Sequence, residues 1–237
     1  MEITIQTLFV ALLVGFIPPL IWLWFWLQED RLHPEPRSAI ALTFFTGMCV
    51  VLLVIPVQKG AQALGLSGIT LLCTWAFIEE FAKFCCAYLA ILRSRLVDEP
   101  IDPLIYMITI ALGFAALENT LFLMNPMSGE TLPVTILTGN FRFFGATLLH
   151  VLCSSIVGGA LSLSYYMHGF KHDIYAIYGV VLAGMVHSIF NFFVLQQQGT
   201  GILRIFLCVW LGIILLMVFF QYVKRIKPPA QTALARS

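Results

Sequence analysis

The sequence predicts an all-α fold, a polytopic integral membrane protein of about seven transmembrane helices, and three observations predict it. First, 60% of the 237 residues are hydrophobic and only 11% charged, against about 25% charged in an average soluble domain. Second, apolar stretches near the ~20 residues needed to cross a hydrocarbon core recur along the whole chain. Third, the connections between them are short and carry Pro, Gly or Asn. A soluble protein cannot hide that much apolar surface. Residues 1–227 read as a single transmembrane helical domain, and 228–237 as a short, polar, proline-led cytoplasmic tail expected to be disordered.

Taken in order, the first segment spans 4–28 and holds Trp22, Trp24 and Trp26, which fit an interfacial aromatic belt. It lacks a basic n-region and a small-residue cleavage site, so it is expected to stay as a helix. The second, 38–59, follows Pro34 and Pro36. The third, 67–92, opens after Gly65 and is interrupted by Glu79, Glu80 and Lys83. The fourth, 102–124, follows Pro100, carries Glu118 and Asn119, and stops at Asn125-Pro126. Leu132 to Asn140 is apolar but short, and reads as an interfacial or re-entrant piece. The fifth segment, 141–167, carries His150; the sixth, 173–195, carries His187 and Asn191; the seventh is 201–223. All six cysteines (Cys49, Cys73, Cys85, Cys86, Cys153 and Cys208) lie in apolar stretches without a CxxC pair. They read as packing residues, not as a disulfide framework or a zinc knuckle. A net charge of +1 with no basic, aromatic-interleaved patch gives no footprint for nucleic acid.

Seven spans sort the basic residues unevenly. One side carries Arg31, Arg37, Arg93, Arg95, Lys171, Lys224, Arg225, Lys227 and Arg236; the other carries Lys59, Arg142 and Arg204. Nine against three places the C-terminus in the cytoplasm and the N-terminus outside. Lys83 lies within a helix and belongs to neither side.

The intramembrane polar residues therefore need a purpose. One charged side chain at a helix centre costs roughly 2.5–3.5 kcal/mol, so three carboxylates and an ammonium cost on the order of 10 kcal/mol if nothing offsets them. At 1.5 Å per residue, Glu118 sits roughly 9 Å below the outer edge, His187 roughly 12 Å, His150 roughly 13 Å, and the Glu79-Glu80 pair roughly 18–20 Å. Four helices thus deliver carboxylates and imidazoles to a similar level in the outer half of the membrane. Lys83 shares a helix face with both Glu79 and Glu80, and Asn191 follows His187 by four. Small residues beside them, including Gly113, Gly158 and Gly184, permit close helix approach. These features point to an intramembrane active site.

The same residues resemble a known family. Glu79-Glu80-Phe-Ala-Lys83 is similar to the EExxK motif of the PrsW family of intramembrane proteases, and Phe114-Ala-Ala-Leu-Glu118-Asn119 to its FxxxEN motif. His150, and His187 followed by Asn191, stand at its two later histidine positions. Glu29-Asp30 with Pro34-Glu35-Pro36, and Glu99-Pro100-Ile-Asp102, resemble two further shared segments, so the similarity runs from about residue 20 to 195. It implies an intramembrane endopeptidase in a cell membrane, acting on a membrane-anchored protein such as an anti-sigma factor toward the extracytoplasmic side. It also implies kinship with prenyl endopeptidases, abortive-infection proteins and the Aph subunit of gamma-secretase. The prenyl endopeptidases carry FxxxH where this chain has Glu118.

Peptide hydrolysis needs an activated water, a polarised carbonyl and a proton donor. Glu79 is the expected general base and later acid. His150 and His187 would hold a metal, zinc, with Glu118 or Glu80 as third ligand and an open position for water. Asn191 would orient water or an oxyanion. No HExxH occurs, and the same residues fit a metal-free glutamate protease. A non-catalytic scaffold gripping a transmembrane partner, or an ion-coupled transporter, are the rival classes. The undivided Glu79-Glu80 pair and the lack of an internal repeat weigh against them.

Overall fold

The computed structural model describes residues 5–31, 33–124, 143–196 and 200–228. Among these, every regular element is a helix, in the order α1 (Ile5–Gln28), α2 (Arg37–Ala63), α3 (Gly68–Ala87), α4 (Asp102–Leu123), α5 (Leu148–Leu163), α6 (Phe170–Gln196) and α7 (Thr200–Val223). Wider π-helical turns extend α3 over Tyr88–Leu92 and lead into α5 over Phe143–Thr147. The expected stretch from Leu132 to Asn140 and the tail from residue 229 onward lie outside the described residues.

Six of the seven helices are long and apolar enough to cross a membrane. The exception is α3, the segment expected to be interrupted by charged residues. Its 20 residues include Glu79, Glu80 and Lys83, and all three turn inward and are buried. Packing, not apolarity, accommodates that helix.

The bundle is built around α4. Along its apolar stretch 83% of residues are buried, against 17% for α1 and 28% for α7. α4 packs against α1, α2 and α5, while α6 closes against α3 and α5. Close approach depends on two glycines. A Cβ on Gly113 would fall 1.9 Å from the Phe44 carbonyl oxygen, and one on Gly47 2.1 Å from that of Ile110. Backbone thus meets backbone where α2 crosses α4, the contact that small residues permit in membrane bundles. Leucines, phenylalanines and tryptophans such as Trp24, Phe45, Leu53 and Leu215 face outward, as lipid would require.

Candidate active site

Five helices converge on one buried polar cluster. The α3 face at i, i+1 and i+4 supplies Glu79, Glu80 and Lys83; α4 supplies Phe114 and Glu118; α5 supplies His150 and Ser154; α6 supplies His187; and α2 supplies Gln58. Glu80 and Lys83 are both 0% exposed and bonded to each other, Lys83 Nζ donating to Glu80 Oε1 at 2.7 Å. The same ammonium lies 2.9 Å from His150 Nδ1 and 4.2 Å from the Phe114 ring centre. Glu80 also accepts from His187 Nδ1 at 2.9 Å and from the Ser154 hydroxyl at 3.2 Å. Its bonding capacity is largely filled.

Those partners assign the imidazole protons. An ammonium can only donate, so His150 Nδ1 accepts from Lys83. Its Nε2–H then donates to Glu118 Oε2, 2.9 Å away. His187 donates its Nδ1–H to the Glu80 carboxylate, so in the neutral ring the electron pair lies on Nε2. That nitrogen faces Glu79 Oε2 at 3.8 Å. Glu79 Oε1 accepts from the Gln58 amide at 2.8 Å, but Glu79 Oε2 is buried with no hydrogen-bond partner.

Glu79, Glu80, Lys83, Glu118, His150 and His187 come together in this cluster. Glu79, His150 and His187 each offer a ligand atom, and these lie within 4.8 Å of one another; Glu80, Cys153 and His187 form a second such group. Glu118, expected as a ligand, is in neither group and hydrogen-bonds to His150, while Glu80, the other expected third ligand, is in the second. It is the most open carboxylate of the cluster, 29% exposed where Glu79 is 11%. Asn191 hydrogen-bonds no described residue, and Glu80 orients His187 in its place. Asn119 donates to the Thr147 hydroxyl at 3.0 Å and so ties α4 to the wide turn before α5. Sequence reading passed over Gln58, Ser154, Cys153 and Thr147. Ser154 was legible, lying one helical turn after His150. Gln58 was not, because a polar residue near a helix end is ordinary.

This donor set fits a metal: two imidazoles and a carboxylate oxygen, buried and convergent, one oxygen of which lacks a partner.

Comparison with known proteins agrees. A profile of the PrsW family of intramembrane metalloproteases matches residues 35–223. The chain is 24% identical over 231 residues to Protease PrsW of Geobacillus kaustophilus, covering 93% of this chain and 92% of that one. It is 24% identical over 154 residues to Protease PrsW of Bacillus subtilis, covering 64% and 65%. Protease PrsW of Clostridioides difficile is 23% identical over 205 residues, covering 81% and 82%. No solved structure matches the chain significantly. With four-fifths of its length matched by the profile, the chain belongs to the PrsW family of intramembrane metalloproteases, and it is a multi-pass membrane endopeptidase.

Proposed function

We propose that Glu79, His150 and His187 hold one zinc ion, and that Glu118 handles the protons of peptide hydrolysis. One observation carries the reading. Glu79 Oε2, buried and unpartnered, faces the unprotonated nitrogen of His187 at 3.8 Å. Two electron pairs opposed in a dry interior are costly, and a cation shared between them removes the cost. A zinc ion held by these residues would supply Lewis-acid polarisation of the scissile carbonyl and a lowered pKa for an attacking water.

The chain's own groups do the rest. For His150 to become a ligand through Nε2, Lys83 would pass a proton to Nδ1 while the Nε2 proton leaves through Glu118 to bulk water, so the ring stays neutral and Glu118 is left ionised. As a carboxylate Glu118 would then serve as base toward water and, once protonated, as acid toward the leaving amine. This gives Glu118 the role that the sequence suggested for Glu79. Glu80 and Lys83 are positioning residues that fix the orientation of both imidazole rings. Asn191, half-buried one turn after His187, would donate to the developing oxyanion. In the rival reading His187 carries two protons and pairs with Glu79 directly, so no metal is needed.

The substrate is a membrane-anchored protein, in the manner of an anti-sigma factor, cut toward the extracytoplasmic side. The nine-to-three distribution of basic residues supports that side, since the cluster draws on the halves of α4, α5 and α6 farther from the basic connections.

The test is metal analysis of protein purified in detergent without chelators. About one equivalent of zinc is expected in the wild type, with loss in Glu79→Ala and in His150→Ala with His187→Ala. Glu118→Gln should keep the metal and lose cleavage of a membrane-anchored peptide. An active wild type free of metal would sink the zinc reading in favour of the rival.

A further inference from the structure

A second polar cavity, of about 490 Å³, lies at the other end of the bundle, where α1, α5 and α7 end and α4 begins. Its lining includes Glu29, Asp30, Asp98, Glu99, Tyr166 and Lys224. Part of this acidity is structural. Asp102 Oδ2 accepts the backbone N–H groups of Asp98 at 2.8 Å and Glu99 at 2.7 Å, and the Tyr106 hydroxyl donates to Glu35. Glu29 is satisfied by Gln221 at 2.7 Å and Lys224 at 3.1 Å. His33 lies 3.2 Å from Glu99 at the exposed rim.

Asp30 has no such explanation. It lines the cavity, is only 7% exposed, and its Oδ2 has no hydrogen-bond partner. Burial, with the negative charges of Asp102 and Glu99, raises its pKa to about 6 against the opposing pull of Lys224 and His33. Neither cation bonds it, since Lys224 is held by Glu29 and His33 lies against Glu99. A buried carboxylate oxygen with no bonded donor is costly to keep, and a further cation bonded to it would relieve that cost.

A metal ion fits poorly. Among the described residues, the carboxylates, histidines and cysteines that converge tightly enough to chelate are those of the active site, not these. The cavity has room for a side chain. It also lies at the end of the bundle whose connections carry nine of the 13 basic residues, the end read as cytoplasmic. Any single-span protein obeying the same charge rule presents Lys or Arg at that level. We infer that this cavity receives the ammonium or guanidinium of a Lys or Arg flanking the cytoplasmic end of the substrate's transmembrane segment, with Asp30 as counter-ion and Glu99 at the mouth. The inference rests on the chain's being a protease of membrane-anchored proteins with its C-terminus in the cytoplasm. An anchor at one end of the substrate helix would set which bond reaches the active site at the other.

The test uses the full chain in nanodiscs of zwitterionic lipid, so that lipid charge does not attract the probe. The probe is a fluorescent single-span peptide of leucines ending in Arg-Arg, compared with the same peptide ending in Gln-Gln. The Arg-Arg peptide should bind about tenfold more tightly, and Asp30→Asn and Glu99→Gln should each shrink that preference to about twofold. Glu99 is only partly buried, so its variant keeps the test intact if Asp30→Asn fails to fold. Equal affinity of the two peptides, binding of neither, or a preference untouched by the variants overturns the inference. Glu79→Gln separates the two readings. It should keep the peptide preference, and persistent cleavage by it would overturn the catalytic assignment alone.

Discussion

Lys83 is fully buried among Glu80, His150 and the ring of Phe114, while Glu79, on the same helix face, makes no bond to it. Spacing alone allowed either glutamate, since i+3 and i+4 both reach a lysine. Glu80 takes the pair because His187 and Ser154 approach it from two other helices. The two neighbours should therefore fail differently. Breaking a buried ion pair by removing one partner costs roughly 3–5 kcal/mol. Glu80→Gln and Lys83→Met should each lose about that much stability in detergent. Glu79→Gln should lose less than about 1 kcal/mol, because Gln58 still has an acceptor, while abolishing cleavage. Thermal unfolding of the three variants beside the wild type checks this, and equal losses would refute the division of roles.

At the scale of elements, α4 is the helix on which the site is hung, and its crossing with α2 allows no side chain at Gly47 or Gly113. Gly113→Val would drive its Cβ into the Phe44 carbonyl, and neither backbone can yield without separating the helices. Such overpacking typically costs 1–3 kcal/mol or more, here about 3 kcal/mol, so the variant should be recovered in low yield. Gly60→Ala is the control. It lies in the same α2, meets nothing within 4 Å, and should gain about 0.5–1 kcal/mol from helix propensity. Yield and melting temperature of the two variants decide the matter. The small residues beside the site were visible in the sequence. That Gly113 meets α2 backbone was not, because a helix pattern says which faces are small and not which helix they meet. α3 is the complementary case, a helix too rich in charge to stand among the six apolar ones, whose charged residues are buried by its neighbours.

For the molecule as a whole, the seven described helices would put the termini on opposite sides if each crosses once, and the charge distribution gives the expected orientation, N-terminus outside. In a cysteine-free background, Ser67→Cys before α3 should react with an impermeant thiol reagent from outside intact cells. Ser94→Cys, beyond α3, should react only after permeabilisation, and the reverse pattern would invert the topology and the side of cleavage. By itself the sequence determined the fold class, the approximate extent of the described helices and the carboxylates, lysine and histidines of the cluster, but not Gln58 or Ser154. The physical reason is that a bilayer punishes each unpaired charge and each short or interrupted span, so those features are written locally. Only the tertiary structure decided which atoms pair: Lys83 with Glu80, Glu118 with His150, and Glu79 left facing His187. Those choices depend on helix rotation and crossing, which are set by contacts among residues far apart in the chain.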